Sequence, residues 1–270
     1  HIIMKKRIIN IYSNDLPASE NICRLLKEKL ERSGFVVPGD FSHEAELLVC
    51  VGGDGATLEA INKYDFPKVP IIGINTGHLG FFQEINPDQL DEFISNYMAG
   101  KYRLQPLSTV QATVLSEYGT NVHKGLNEIV IKGSKSYSVH LNISIGGSFI
   151  ERFSGDGITI STPAGSTAYN YSLGGSIIDP RLKALQVAPI APMNTTAYRS
   201  FTSSILLPSD LSLEVVPEYT KSNQIYLIND GIETEYRNIT SIKVEFSDSV
   251  VNLLRFETYD FWNKVKTKFL

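Results

Sequence analysis

The residues best suited to chemistry follow a short apolar run, where residues 52–55 read Gly-Gly-Asp-Gly. Glycines at the end of a buried strand let backbone N–H groups approach an anion, because no Cβ stands in the way. A helix expected to open at this turn would point its N-terminus at the same place, which also favours an anion. A single acid, Asp54, lies inside the turn. We therefore expect an anion-binding turn whose carboxylate also handles a proton or a metal ion, the alternative being an Asp that only caps the turn.

A second set of candidate residues follows the next predicted strand. Asn75 and Thr76 offer hydrogen bonds at the strand end, and Phe81 and Phe82 come a few residues later. The two rings suit one wall of a site for a flat ligand, although two phenylalanines after a glycine turn are more often part of the core. His78 has no Cys or His partner at the spacing of a metal site, so we expect no protein-bound metal.

The third candidate is a stretch rich in Gly, Ser and Thr between 155 and 175. We expect Ser166 or Thr167 to cap a helix that carries Tyr169 and Ser172 on one face. Hydroxyls, exposed backbone and one aromatic ring suit a nucleoside, because the ring can stack on a base while the hydroxyls bond to the ribose. The simpler alternative is a plain surface loop.

The elements that must position these residues alternate between strand and helix over the first hundred positions. Short apolar runs predict strands at 8–12, 47–51 and 70–74, and helical spacing predicts helices at 19–33, 57–64 and 87–97. This alternation predicts an α/β domain with a Rossmann-like parallel sheet covered on both faces. Ligands of such sheets bind at the carboxyl ends of strands, where both glycine turns fall.

The pattern changes after residue 102. Apolar and polar residues alternate in 109–114, 138–145 and 241–246, which predicts strands with one buried face. Asn-Asp-Gly at 229–231 is a hairpin signal. We therefore expect a mostly β C-terminal domain that is similar to a β-sandwich.

The final residues predict a helix with an apolar stripe of Phe261, Val265 and Phe269. Such a stripe needs a partner, and we expect this C-terminal helix to pack back on the N-terminal domain. The predicted domains are an α/β domain over 1–101, a β-rich domain over 102–256 and the helix over 257–270.

Composition narrows the class of protein. The 270 residues carry a net charge of −4, with no basic bias to suggest a nucleic-acid partner. No apolar run reaches the roughly 18 residues of a membrane-spanning helix, so we expect no membrane partner. Cys23 and Cys50 lie in a predicted helix and a predicted buried strand, where thiols are typical of a reducing compartment. With no export signal apparent, we expect a cytoplasmic protein.

Taken together, the motifs resemble the NAD kinase family over essentially the whole chain. The resemblance rests on Gly-Gly-Asp-Gly at 52–55, Asn-Thr-Gly-His-Leu-Gly-Phe at 75–81, Asn-Glu at 127–128 and Gly-Asp-Gly at 155–157. The most specific part is Ser-Thr-Pro-Ala-Gly-Ser-Thr-Ala-Tyr at 161–169, because phosphofructokinases and diacylglycerol-type lipid kinases share the first motif. The short N-terminal region is similar to the compact bacterial form.

The resemblance implies phosphoryl transfer from ATP, or from polyphosphate, to the 2′-hydroxyl of the adenosine ribose of NAD, giving NADP. It implies that Asp54 is the catalytic base and that Mg²⁺ or another divalent cation arrives with ATP. It also implies a homodimer or homotetramer. Two departures from the family pattern, Ala56 and Ala164, each remove a hydroxyl.

The resemblance also implies which residues bind the dinucleotide. They include the strand-end pair Asn127 and Glu128 for ribose and adenine, and Asp156 for the nicotinamide side. The remaining positions implied are Gly55, Asn75, Phe81, Thr167, Ala168, Tyr169, Ser172 and the backbone of Ala191. Asp230 resembles the acid of a hairpin near the substrates.

Two other functions remain open from the residues alone. A lipid or sugar kinase that shares only the first motif would ignore NAD. A non-catalytic dinucleotide sensor would bind NAD without turnover, although a pure binder has no need of an acid such as Asp54 beside a phosphate.

Overall fold

The computed structural model describes residues 2–270. The chain divides into two compact units: the first ends at Pro106 and resumes at Val250, and the second is Leu107–Ser249. The domain limits expected from the sequence, 1–101, 102–256 and 257–270, stay a prediction.

The first unit alternates strands and helices, as the apolar runs predict. Its elements before residue 100 are β1 (Ile9–Ser13), α1 (Pro17–Arg32), β2 (Leu47–Gly52), α2 (Asp54–Lys63), β3 (Ile71–Asn75), β4 (Gln83–Ile85), a 3₁₀ turn (Pro87–Gln89) and α3 (Leu90–Met98). Strands β1, β2, β3 and β4 pair in parallel and in that order. The predicted α/β domain with a parallel sheet is confirmed.

The parallel sheet of the first unit is buried because its strands are apolar on both faces. All residues of β2 and β3 are buried, as expected for parallel strands between layers of helices. Leu26 and Leu30 of α1 pack with Phe93 and Ile94 of α3 and with Ile72 of β3 in one apolar core. This core fixes the strand ends at which Asp54 and Asn75 lie.

The second unit is mostly β. Two strands cross its limits: β5 (Arg103–Ser116) enters from the first unit and β16 (Ile239–Arg255) returns to it. Between them lie β6 (Gly119–Gly125), β7 (Glu128–Lys132), β8 (Val139–Ile145), β9 (Ser148–Gly155), β10 (Gly157–Ser161), a 3₁₀ turn (Ala164–Thr167), α4 (Tyr169–Ser172), β11 (Ala184–Ile190), β12 (Ile205–Pro208), β13 (Leu213–Glu218), β14 (Gln224–Asn229) and β15 (Ile232–Arg237).

These strands form antiparallel sheets that share one core. One sheet has the order β12-β11-β10-β7-β14-β15, and in the other β8 lies between β9 and β13, which pairs with β16. Ile131 and Ile158 from the first sheet lie in the same apolar cluster as Leu141 and Val215 from the second. A core enclosed by two sheets is the sandwich that the alternating patterns predict.

The predicted hairpin at 229–231 is present between β14 and β15. Asp230 and Gly231 have φ values of +49° and +84°. Positive φ at both central residues is typical of a two-residue type I′ turn, which Asp-Gly favours.

The C-terminal helix, α5 (Phe261–Phe269), belongs to the first unit. The rings of Phe261 and Phe269 lie 6.0 and 5.7 Å from the ring of Phe81, and Val265 is buried. The prediction that the terminal stripe packs back on the N-terminal domain is confirmed. Within residues 2–270, none of the helices has the length and apolar character needed to span a bilayer.

Candidate active site

The glycine turn after β2 is sterically restricted at its first residue. Gly52 has a φ of +145°, and a Cβ there would lie 2.7 Å from the Cβ of Ala56 and 2.8 Å from Nδ2 of Asn14. Only glycine fits both the backbone conformation and the space. The helix α2 then begins at Asp54, earlier than the start at 57 expected from its apolar residues. Asp54 therefore lies in the first turn of a helix, where N–H groups attract anions.

The carboxylate of Asp54 is fixed by two backbone donors. Phe81 N–H donates to Oδ2 and Phe82 N–H donates to Oδ1, both at 2.9 Å. Gly80 allows this approach, because a Cβ on it would lie 2.5 Å from Cγ of Asp54. The sequence pattern gave no indication of these bonds. They hold the carboxylate in one orientation while leaving lone pairs on each oxygen for a further donor.

The other predicted residues of the first unit take different positions. Gly55 faces open space, since a Cβ there would meet no atom within 4 Å. The Oδ1 of Asn75 accepts from Gly77 N–H at 3.2 Å, so its side chain shapes its own turn. Phe81 is buried with its ring against α5. The part of each in ligand binding stays a prediction.

In the second unit, Asn127 and Glu128 are held by the β14–β15 hairpin. The carboxylate of Asp230 accepts from the N–H groups of Leu126 and Asn127, each at 2.8 Å. The Oδ1 of Asn127 is buried and has no hydrogen-bond partner among the described residues. A buried polar atom without a partner is unfavourable unless a ligand supplies one. Asn127 therefore has the features of a residue that hydrogen-bonds a ligand.

The pKa of Glu128 is raised to about 7. Burial of the carboxyl is the main cause, the charge of Asp230 adds to it, and a hydrogen bond from Tyr169 N–H opposes it. A carboxyl with a pKa near 7 changes its charge close to neutral pH. A perturbed pKa of this kind is common at functional sites.

The hydroxyl-rich segment packs directly on Asn127. A Cβ on Gly165 would lie 2.6 Å from Cα of Asn127, and Thr162 N–H donates to the carbonyl of Asn127 at 3.0 Å. Tyr169 is 41% exposed, so its ring is available to a ligand. The segment is thus an ordered surface built around Asn127 rather than a plain loop.

The expected helix cap in this segment is wrong. The helix α4 has only four residues, Tyr169–Ser172, and its N-cap is Ala168, which has no capping side chain. The hydroxyl of Ser166 accepts from Ile178 N–H at 2.9 Å, and that of Thr167 donates to the carbonyl of Ala164 at 3.4 Å. Both hydroxyls are therefore used elsewhere. Thr167 ends the 3₁₀ turn, Ala168 separates this turn from α4, and Tyr169 and Ser172 are the first and last residues of α4.

Asp156 and Ala191 are brought together at adjacent strand ends. Asp156 N–H donates to the carbonyl of Ile190 at 2.9 Å, and Ala191 follows with a φ of +44°. A non-glycine residue with positive φ is strained, a feature that clusters at ligand sites. Asp156 also lines a cavity of about 350 Å³, together with Lys132, Lys135, Tyr226 and Glu233.

The predicted site residues thus fall into two groups. Asp54, Gly55, Asn75 and Phe81 belong to the first unit, and the remainder belong to the second. Within the described residues, no group of three or more His, Cys, Asp or Glu side chains is arranged to hold a metal ion.

Two protein-family models match successive parts of the chain. Residues 4–102 match the ATP-NAD kinase N-terminal domain, and residues 126–256 match the ATP-NAD kinase C-terminal domain. The chain is 40% identical to the NAD kinase of Finegoldia magna over 269 residues, covering 98% of each chain. It is 33% identical to the NAD kinase of Streptococcus gordonii, covering 97% of this chain and 95% of that one.

The fold is shared with two solved structures of low sequence identity. The crystal structure of yeast NADH kinase complexed with NADH has a TM-score of 0.85 at 19% identity, covering 97% of this chain and 87% of that one. An NAD kinase from Archaeoglobus fulgidus in complex with ATP has a TM-score of 0.76 at 22% identity, covering 97% and 98%.

The enzyme class that follows is a phosphotransferase with an alcohol group as acceptor. Within that class, the chain belongs to the NAD kinase family.

Proposed function

We propose that the protein phosphorylates the 2′-hydroxyl of the adenosine ribose of NAD, with Asp54 as the base that takes the hydroxyl proton. The observation that carries the proposal is the fixed carboxylate of Asp54 in the first turn of α2, directly after a glycine turn. A base needs direct hydrogen-bond contact with the proton it removes, and a fixed orientation favours that contact. The ribose oxygen then bonds to the terminal phosphorus of the donor as the bond to the leaving phosphate oxygen breaks.

The second unit supplies groups that suit a nucleoside. The unpartnered Oδ1 of Asn127 accepts from a hydroxyl or amino group, and Glu128 beside it offers a carboxyl. The exposed ring of Tyr169 suits stacking on a base. We infer that Thr167, Ala168 and Ser172 complete this surface.

The nicotinamide side of NAD suits the surroundings of Asp156. Asp156 lines a cavity that Lys132 and Lys135 also line. The strained backbone of Ala191 next to it offers a carbonyl or N–H group to the ligand. We assign these two residues to that end of the dinucleotide.

The phosphoryl donor is ATP carried with Mg²⁺ or another divalent cation, and polyphosphate is the alternative. Gly55 suits the phosphate end because no side chain blocks the helix N-terminus there. Ala56 packs its methyl group near Gly52 and offers no hydroxyl to the phosphates. We propose that the cation enters as part of the nucleotide substrate, since Mg²⁺ is commonly held by substrate phosphates with one or two carboxylates.

We propose a homodimer or homotetramer, as the family resemblance implies. We also propose a cytoplasmic location, which the two free thiols favour. Neither nucleic acid nor a membrane is needed as a partner.

One assay tests the reaction and the role of Asp54 together. NADP formation is measured with MgATP and, in parallel, with polyphosphate, for the wild type and for Asp54→Asn. We expect the wild type to form NADP with MgATP and the variant to lose roughly 100- to 10,000-fold in kcat, the usual contribution of a general base. NAD binding, measured by calorimetry, should be largely retained by Asp54→Asn.

The matched control is Asp40→Asn, which changes an exposed acid of the same unit. Its kcat should equal that of the wild type. Absence of NADP formation by the wild type with either donor would refute the function. Wild-type turnover by Asp54→Asn would refute only the role of Asp54.

A further inference from the structure

Two cations from the C-terminal segment hold the loop that binds Asp54. The ammonium of Lys264 in α5 donates to the carbonyl of Gly80 at 3.2 Å and also to that of Gln83. The guanidinium of Arg255, at the end of β16, donates to the carbonyl of Phe81 at 2.8 Å. All of these residues lie in the first unit.

The two carbonyls at 80 and 81 belong to the same peptide groups as the two N–H donors to Asp54. The carbonyl of Gly80 shares its peptide with Phe81 N–H, which donates to Oδ2 of Asp54. The carbonyl of Phe81 shares its peptide with Phe82 N–H, which donates to Oδ1. Each peptide therefore has a cation at its oxygen and the carboxylate at its N–H. Both ends favour the same orientation of the peptide dipole, and hydrogen bonds in such chains strengthen one another.

We propose that Lys264 and Arg255 are positioning residues for catalysis, because each fixes and polarises one of the two peptide groups that orient the Asp54 carboxylate. Neither residue needs to touch substrate for this role. The inference rests on the proposed function of Asp54 as the base, and it assigns a catalytic consequence to the C-terminal helix.

Arg255 is buried and forms an ion pair, a hydrogen bond and a cation–π contact. Its side chain is 2% exposed, and it forms an ion pair of 3.0 Å with Glu84, which is 3% exposed. Its Nε donates to Gln105 at 3.0 Å, and its guanidinium lies 4.0 Å from the ring centroid of Tyr259. This buried group is a rigid support, so its removal would disturb folding as well as geometry.

Lys264 is the better residue to test, because its environment is less closed. Burial lowers the pKa of Lys264 to about 8, and the nearby charge of Arg255 acts in the same direction. The carboxylates of Glu84 and Asp54 oppose the shift, whereas Lys268 adds to it. The ring of Tyr259 lies 5.9 Å from the ammonium. The protonated ammonium has three N–H donors, two of which reach the carbonyls of Gly80 and Gln83. This charged form is lost as the pH rises through about 8.

The kinetic experiment compares wild type, Lys264→Met, Lys264→Arg and the control Lys266→Met. Lys266 lies on the same helix with an exposed side chain, so its variant reports the effect of removing a charge alone. For Lys264→Met we expect kcat at pH 7 to fall roughly 10- to 100-fold, as for a slightly misplaced catalytic group, with the KM for NAD largely unchanged. Lys264→Arg should recover part of the loss, and Lys266→Met should match the wild type.

The pH profile separates positioning from a general effect on stability. Wild-type kcat should fall above a pH of about 8 as Lys264 loses its proton. Lys264→Arg should lack this fall, because a guanidinium stays charged. Stability should change in the opposite direction: between pH 8 and 10.5 the unfolded chain binds more protons at Lys264, so the wild type gains stability relative to Lys264→Met. If Lys264 acted only through stability, kcat would not fall above pH 8, because the free energy of unfolding does not fall there.

Hydrogen exchange provides a measurement that does not depend on turnover. The amides of Phe81 and Phe82 should exchange faster in Lys264→Met than in the wild type and in Lys266→Met. Unchanged exchange together with wild-type kcat and pH profile in Lys264→Met would overturn the inference. If Lys264→Met does not fold, the test is Lys264→Arg. A fall of its kcat above pH 8 equal to that of the wild type would overturn the inference. A wild type that forms no NADP would refute the proposed function. The exchange rates would still show whether Lys264 holds the peptide groups that bind Asp54.

Discussion

The carboxylate of Asp230 and the backbone of Asn127 are joined by a hydrogen bond of 2.8 Å between residues 103 positions apart in the chain. The same carboxylate also accepts from Leu126 N–H at 2.8 Å and from Glu128 N–H at 3.4 Å. The hairpin turn therefore shapes the loop that presents Asn127 and Glu128. A mutation in the turn should change ligand affinity without altering Asn127 or Glu128, the residues proposed to bind the ligand.

The first prediction concerns Asp230→Ala. Three backbone N–H groups would lose their charged acceptor, and Asn127 would no longer be held in one position. We expect the Kd for NAD to rise about tenfold, which corresponds to roughly 1.4 kcal/mol. Calorimetric titration with NAD measures the change, and Asp210→Ala, at an exposed acid of the same unit, should leave affinity unchanged. Equal affinity in both variants would contradict this role for Asp230.

The second prediction concerns the raised pKa of Glu128. Between pH 4.5 and about 7 the folded protein binds more protons at this carboxyl than the unfolded chain does. The free energy of unfolding should therefore fall as the pH rises through this range, by up to about 3 kcal/mol. Glu128→Gln lacks this titration and keeps an acceptor for Tyr169 N–H. As the pH rises from 5 to 7, the wild type should therefore lose stability relative to Glu128→Gln.

Urea unfolding of both proteins at pH 5, 6 and 7 measures this difference. Glu233→Gln, at an exposed carboxyl of the same unit, provides the matched comparison and should track the wild type. A constant difference between the wild type and Glu128→Gln across the three pH values would show that Glu128 does not titrate in this range.

Local patterns in the sequence predicted the elements well where neighbouring residues determine them. The Asp-Gly hairpin at 230–231 depends on two residues that tolerate positive φ, so its signal is contained in the turn itself. The buried strand before Gly52 is likewise specified by its own apolar residues. The cap expected from Ser166 is wrong, because its hydroxyl accepts from Ile178 N–H, twelve residues away, and α4 begins only at Tyr169.

The residues that hold the site together could not be predicted in this way. Arg255 and Glu84 are separated by 171 positions, and neither lies in a motif with a recognisable spacing. Their pairing depends on where β16 ends relative to β4, which is a property of the folded sheet rather than of a local pattern. The sequence therefore predicts groups that are suited to chemistry, but not the groups that orient them.

The third prediction concerns Gly80→Ala. A Cβ at this position would lie 2.5 Å from Cγ of Asp54 and would displace its carboxylate from the N–H groups of Phe81 and Phe82. We expect kcat to fall by about 100-fold, the order of loss for a misplaced catalytic group. NAD binding by the second unit should be retained, because Asn127 and Glu128 are unchanged.

Steady-state kinetics with NAD and MgATP measure this loss, and Gly39→Ala is the control. Gly39 lies in the same unit, has no positive φ, and a Cβ there would meet nothing within 4 Å. Its variant should retain wild-type kcat. Wild-type turnover by Gly80→Ala would mean that the position of the Asp54 carboxylate does not limit the reaction.

The last prediction concerns the buried ion pair of Arg255 and Glu84. Removing one partner leaves the other charge buried, which typically costs about 3–5 kcal/mol. We expect Arg255→Met and Glu84→Gln each to destabilise the protein strongly, and the double variant to be destabilised by clearly less than the sum of the two.

Urea unfolding of the four proteins measures the coupling free energy. The control is the ion pair of the exposed Lys243 with the half-buried Glu245, 3.2 Å apart, and Lys243→Met should cost less than about 1 kcal/mol. Additive effects of the two buried substitutions would contradict the pairing. Because Arg255 also holds the carbonyl of Phe81, the double variant should regain stability without regaining turnover.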